Sequence, residues 1–283
     1  MCLIAFAINA STRWPLVIAS NRDEFLNRPT LPLARWHTDA GTEIISGRDL
    51  RAGGTWLGLS PGGRLAMLTN VRERQPTTGE KSRGELVLRW LEGRMDAAQF
   101  MAQTDSAAYG AFNLVLGDFQ TASWHWLTNR SEDATGWHSR ALGPGIYGLS
   151  NGALDTPWPK TRALKHALQT ALAALGQDAL HTELWSALQD RRRASAEQLP
   201  STGVPLAQEH ALSSAFVDFP ENGYGTRCST LLVASAVAIE PALTWDVRIE
   251  ETTHAYGGSD ARLDHSCQLT WQPNPAFAFT GAL

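Results

Sequence analysis

The stretch Pro15–Phe25, reading PLVIASNRDEF, joins a short apolar strand pattern, Pro15–Ser20, to four consecutive polar residues, Asn21-Arg22-Asp23-Glu24. Two carboxylates, a guanidinium and an amide are thereby set at a strand end, where sites commonly form. Period-two alternation would send Ser20, Arg22 and Glu24 to one face and Asn21, Asp23 and Phe25 to the other. Upstream, Cys2–Ile8 is a second strand pattern, and Ala10-Ser11-Thr12-Arg13-Trp14 reads as a hairpin connection between the two. That hairpin would bring the polar end of the stretch beside Cys2.

Cys2 stands directly after the initiator methionine. Removal of Met1, which a small second residue permits, would leave a free α-amine on a thiol-bearing residue. An α-amine titrating near ~8 can serve as a general base, and an ionised thiol is a good nucleophile. One residue would then supply both functions; the alternative is a small buried hydrophobe opening a strand.

Further strand patterns follow at Glu43–Ser46, Thr55–Leu59, Arg64–Asn70, Phe112–Leu116 and Ser123–Thr128, separated by Gly53-Gly54, Pro61-Gly62-Gly63 and Asp118–Thr121. A helix opens at Ser82-Arg83-Gly84-Glu85, and a short one covers Asp96–Gln103. Pro159 opens a longer helix whose apolar stripe runs to Gly176, and His181–Arg191 forms another. After a looser stretch, Leu199–Phe219, strands return at Ser229–Ser235 and Leu243–Glu250; the tail beyond is ambiguous. Strands, helices and strands again, with no break in composition, predict one α+β domain over residues 1–283 in which packed sheets are covered by helices.

Composition narrows the function classes. The 283 residues are 43% hydrophobic and 18% charged, with a net charge of -4, so no basic excess is available for nucleic-acid phosphates. The basic run Arg191-Arg192-Arg193 merely ends a helix. Three cysteines, Cys2, Cys228 and Cys267, cannot pair completely and lack metal spacing, which predicts a reducing, cytoplasmic setting. No apolar run reaches the roughly 18 residues of a membrane span. No metal site is expected: the eight histidines include no HExxH, and His181-Thr182-Glu183 has no P-C-x-x-C after it. Trp124-His125-Trp126 alternates as a packed strand, both tryptophans on one face. Gly53-Gly54 before Thr55-Trp56 fits either a tight turn or a close approach to ligand, with Trp56 read first as core and second as a substrate contact.

Taken together, Met1-Cys2, Asn21-Arg22-Asp23-Glu24-Phe25, Gly53-Gly54-Thr55-Trp56-Leu57-Gly58, Thr69-Asn70, Arg83-Gly84-Glu85-Leu86-Val87, Phe112-Asn113-Leu114, Tyr147–Asn151, Thr156-Pro157-Trp158 and Tyr224-Gly225-Thr226-Arg227 form an ordered set across nearly the whole chain. In this set the chain resembles the NRDE family. The resemblance implies a four-layer αββα sandwich of the N-terminal-nucleophile hydrolase type. It further implies Cys2 as nucleophile, Asp23 as the carboxylate holding its amine, and Asn70 and Asn151 as oxyanion donors, with Arg227 near the sulfur. Asn21, Arg22 and Trp56 would contact substrate. The acylase relatives carry Arg-Asn-x-Asp where this chain has Ser20-Asn21-Arg22-Asp23, so Arg22 would have to stand in for their early arginine.

Two functions follow from the resemblance. One is a cysteine amidohydrolase acting on a small-molecule amide without a cofactor. The other is haem binding or trafficking in the same cleft, with a thiolate, histidine or arginines holding iron or propionates; no fixed haem motif is present.

Overall fold

The computed structural model describes residues 2–76, 78–130, 135–173, 176–239, 242–254 and 263–271. In chain order the elements are β1 (Cys2–Ile8), β2 (Leu16–Phe25), β3 (Thr30–His37), β4 (Glu43–Asp49), β5 (Leu57–Leu59) and β6 (Arg64–Asn70). Next come α1 (Gly84–Glu92), α2 (Ala97–Ala102), β7 (Phe112–Asp118), β8 (Ser123–Arg130), β9 (Thr135–Ala141), β10 (Gly145–Leu149), α3 (Pro159–Leu172) and α4 (Gln177–Leu188). The last are α5 (Leu206–Ala211), β11 (Asp218–Phe219), β12 (Tyr224–Ile239), β13 (Ala242–Thr253) and β14 (Leu263–Trp271). The strands form two antiparallel sheets, β10-β1-β2-β12-β13-β14 with β11 beside β12, and β3-β4-β5-β6-β7-β8-β9.

Alternation along β1 and β2 builds the layers. Ile4, Phe6, Ile8, Leu16 and Ile18 face the second sheet, where Ile45, Leu59, Met67 and Val115 meet them. Leu3, Ala5, Ala7, Val17 and Ala19 face outward and are covered by Leu164 and Leu168 of α3 and Leu180 and Leu184 of α4. On the far side, Leu86, Val87 and Trp90 of α1 and Phe100 of α2 cover Ala66, Leu114 and Leu116 of the second sheet. The result is the expected four-layer αββα sandwich. Short apolar residues on the α3 face of β1 let the helix approach closely, while large ones fill the inter-sheet layer.

Several elements extend or depart from expectation. β2 does not stop at Ser20 but runs through the polar residues to Phe25, because β12 pairs with it: Asp23 lies opposite Thr226 and Phe25 opposite Tyr224. β3 and α5 carry mixed polarity that hides them from pattern reading, whereas α2 falls within the expected Asp96–Gln103 and is capped by Asp96, which accepts from the Gln99 amide. α3 starts at Pro159 but ends at Leu172, and α4 starts earlier, at Gln177. The tail contributes β14, and residues 272–283 lie outside the described residues. Trp124 and Trp126 both reach the inter-sheet core, as alternation requires. Among the described residues no helix is long and apolar enough to cross a membrane.

The Gly53-Gly54 pair is explained by packing. Gly53 has φ +75°, and a Cβ on Gly54 would fall 2.5 Å from the Gly84 carbonyl carbon at the start of α1. This contact seats α1 against the turn before β5. Backbone cannot yield as a flexible side chain can, so Gly54→Ala is expected to cost about 2 kcal/mol in a urea titration. Gly62→Ala, whose Cβ would meet only the Ser60 hydroxyl at 3.7 Å, should stay within about 0.5 kcal/mol of the parent. Equal melting of the two variants would refute this role.

Candidate active site

Register places three side chains in one row. Cys2 lies opposite Arg22, and Arg22 lies opposite Cys228 on its other flank. Cys2 is 6% exposed. Its carbonyl accepts the Ser150 hydroxyl at 3.1 Å, which ties β1 to the end of β10. Burial pushes the Cys2 thiol above its ordinary range, the carboxylates of Asp23 and Glu24 push the same way, and the Arg22 guanidinium opposes them. Arg22 itself sits 4.2 Å over the Trp56 ring, with Asp49 at 3.7 Å and Glu24 at 3.8 Å. Trp56 is therefore both core and cavity wall.

Asp23 turns to the opposite face of β2 and is 1% exposed. Its Oδ1 accepts the Thr226 hydroxyl at 2.7 Å, and its backbone carbonyl accepts the Tyr224 hydroxyl at 2.7 Å. Lys160, the second residue of α3, brings its Nζ to 4.0 Å from Asp23 Oδ2. Lys160 is 4% exposed, and its ammonium makes no hydrogen bond among the described residues. Burial lowers the Lys160 pKa to about 8, against the pull of Asp23; burial likewise raises Asp23, against the pull of Lys160. Arg72 stands nearby, paired with Glu209 and stacked 4.8 Å from the Trp158 ring.

Asn70 ends β6, half-buried on the cavity wall. Asn151 does not line the cavity: its side-chain amide donates to the Asn70 carbonyl at 2.9 Å, and its own carbonyl accepts the Arg72 amide at 2.7 Å. Arg227 falls at a bulge between Thr226 and Cys228 and donates to the carbonyls of Phe25 and Arg28 at 2.9 and 3.0 Å, bracing the turn after β2. Asn21 spends its amide on the carbonyls of Leu188 and Ala215, both at 2.8 Å, in the helical layer. The arrangement thus gathers Cys2, Arg22, Asp23, Asn70 and Trp56 on one cavity and leaves Asn21, Asn151 and Arg227 as its supports.

That cavity has a volume of about 890 Å³ and opens between the two sheets and the α1 and α5 ends. Sequence reading passed over Lys160 and Arg83, which it absorbed into helix-opening motifs, and gave no role to Arg72 or Thr226. Charged residues flanking Pro159 and Gly84 at helix starts were the available signal.

Two antiparallel sheets between helical layers, with a cysteine at the head of the first strand, define a four-layer αββα sandwich protein. The chain belongs to the Transport and Golgi organisation 2 family, whose profile matches residues 1–238. It is 32% identical over 252 residues to the mouse Transport and Golgi organization 2 homolog, covering 83% of this chain and 89% of that one. The human homolog is 33% identical over 260 residues, with the same coverage. Among solved structures, a Caenorhabditis elegans N-acylethanolamine-hydrolyzing acid amidase ortholog aligns at a TM-score of 0.49 and 12% identity, covering 82% of this chain and 92% of that one.

Proposed function

We propose that this protein is an amidohydrolase that opens a non-peptide C–N bond with Cys2 as its N-terminal nucleophile. The observation that carries the reading is Cys2 on the wall of a cavity beside Asp23, a carboxylate buried between Thr226 and Lys160. Once Met1 is removed, the Cys2 α-amine takes the thiol proton as sulfur attacks the amide carbonyl carbon. The side-chain amide of Asn70 donates to the developing oxyanion, and Asn151 holds Asn70 in place. The C–N bond breaks, and the amine leaves with the proton from the α-ammonium. Water, giving a proton to the same amine, then attacks the thioester, releasing the carboxylic acid and restoring the thiol. Asp23 accepts from the α-ammonium throughout, while Arg22, beside the sulfur, favours thiolate.

This route needs no cofactor. Haem has less to hold it here: the arginines could meet propionates, but among the described residues no histidine lines the cavity.

The test is the intact mass of the purified protein, followed by iodoacetamide labelling mapped by residue between pH 7 and 10. Loss of Met1 and preferential labelling of Cys2 over Cys267 are expected, with the Cys2 rate still climbing past pH 9 because its pKa lies above the ordinary 9.0. Retention of Met1, or labelling of Cys2 no faster than Cys267, would remove the proposed nucleophile.

A further inference from the structure

Of the six arginines that line the cavity, three are matched by carboxylates and two more, Arg51 and Arg74, are exposed. Arg22 and Arg28 share Asp49 and Glu24, and Arg72 holds Glu209. Arg83 is different. Set just before α1 by the Gly54–Gly84 contact, it lines the same cavity as Cys2 and is half-buried. Its Nη1 donates to the Ala111 carbonyl at 3.0 Å, and no carboxylate among the described residues lies within 4.0 Å of it. The acidic groups whose fields reach it are engaged elsewhere, Glu24 by Arg22 and Arg28, and Glu73 by Arg130 at 2.9 Å. A guanidinium carries five N–H donors and cannot shed its charge, so a partly desolvated one with a single protein acceptor is an incomplete ion pair.

The surrounding charge favours an anion as the missing partner. Seven Arg and Lys residues and five Asp and Glu residues line the cavity, whereas the whole chain has a net charge of -4. A planar guanidinium fork matches a planar carboxylate in two parallel hydrogen bonds, a geometry that a neutral amide cannot supply. We infer that Arg83 is a carboxylate-binding subsite, so that the ligand of this cavity is an amide that also carries a carboxylate. The inference deepens the amidohydrolase reading and, for its catalytic consequence, rests on it. The carboxylate can belong to the acyl side or to the amine side of the amide; the two differ in which product keeps the charge.

Binding and turnover test the two ideas separately. Calorimetry on the Cys2→Ala protein would use N-octylsuccinamate and N-octanoylglycine, each against its uncharged primary-amide counterpart. At least one acid is expected to bind about tenfold or more tightly than its counterpart. That preference should vanish in Cys2→Ala/Arg83→Gln and survive in part in Cys2→Ala/Arg83→Lys, which keeps the charge without the fork. Preference for the succinamate assigns the charge to the acyl side, and for the glycine conjugate to the amine side. Equal binding of acid and neutral forms, a preference that persists in the Arg83→Gln variant despite retained folding, or no binding of either acid would overturn the subsite. Turnover of the same probes by the protein with Cys2 intact is measured in parallel. Preference without turnover leaves the subsite standing and counts against the hydrolase; turnover without preference does the reverse.

Discussion

Cys2→Ala is expected to lower amide turnover by a factor on the order of 10⁴ or more, because the nucleophile and its proton acceptor act as one unit and neither works alone. The fold should survive. Cys2 is the first described residue of β1, its carbonyl bond to Ser150 is made by backbone, and the lost sulfur leaves a void that costs about 1 kcal/mol. Cys2→Ser is the sharper comparison, since it keeps the α-amine and the shape but offers an oxygen far less nucleophilic than thiolate; a small residual rate is expected. On the proposed amidohydrolase reading, the protein with Cys2 intact should show kcat/KM rising with pH through neutrality. Burial raises the Cys2 thiol, so thiolate is scarce at pH 7 and increases until its elevated pKa is passed. Undiminished turnover in Cys2→Ala, at any pH, would sink the catalytic assignment outright.

The sheets were readable because β1, β6 and β7 combine apolar patterning with clear turns, and the αββα layering follows from strands flanking two amphipathic helical regions. The interior of the site was less readable, for a physical reason that individual residues show. Charged residues in a strand pattern look like its end, yet Arg22 and Asp23 lie well inside β2, their charges met by Asp49 and Lys160 from elsewhere in the chain. Nothing local to Pro159-Lys160 reveals that the lysine will be buried against a carboxylate 137 residues earlier. Arg227, which the resemblance puts near the sulfur, lies at a bulge before Cys228 and donates to the Phe25 and Arg28 carbonyls. A one-residue register shift is set by tertiary pairing, not by residue type. Asn151 and Asn21 likewise carry side-chain amides suited to substrate, and both are spent on backbone carbonyls.

The largest expected effect on stability concerns Lys160 and Asp23. Lys160→Met removes the cation that offsets a carboxylate with 1% exposure and should cost about 3–5 kcal/mol at pH 7; Asp23→Asn, which strands the ammonium instead, should cost a similar amount. The double variant should be more stable than the sum of the singles implies, because neither charge is then left alone. The pH dependence has a definite sign. Lys160 titrates at about 8 when folded and near 10.5 when exposed, so between those values the unfolded chain binds the extra proton. This group's contribution to stability is full above about pH 10.5 and is lost as the pH falls through 8. Asp23 runs the other way: its folded pKa is raised above 3.8, so its contribution is present below that value and lost as the pH rises through the elevated one. At neutral pH both groups are therefore charged at a cost, and their mutual attraction is what favours the ionised Asp23. Urea titrations at pH 7 and pH 10 on the four proteins of the cycle would resolve this. Lys160→Met should lack the gain in stability that the parent shows between the two pH values, relative to its own baseline. Additive single-variant losses, or an unchanged slope with pH, would mean that Lys160 only fills space beneath Asp23 and contributes nothing to holding the carboxylate that the Thr226 hydroxyl donates to.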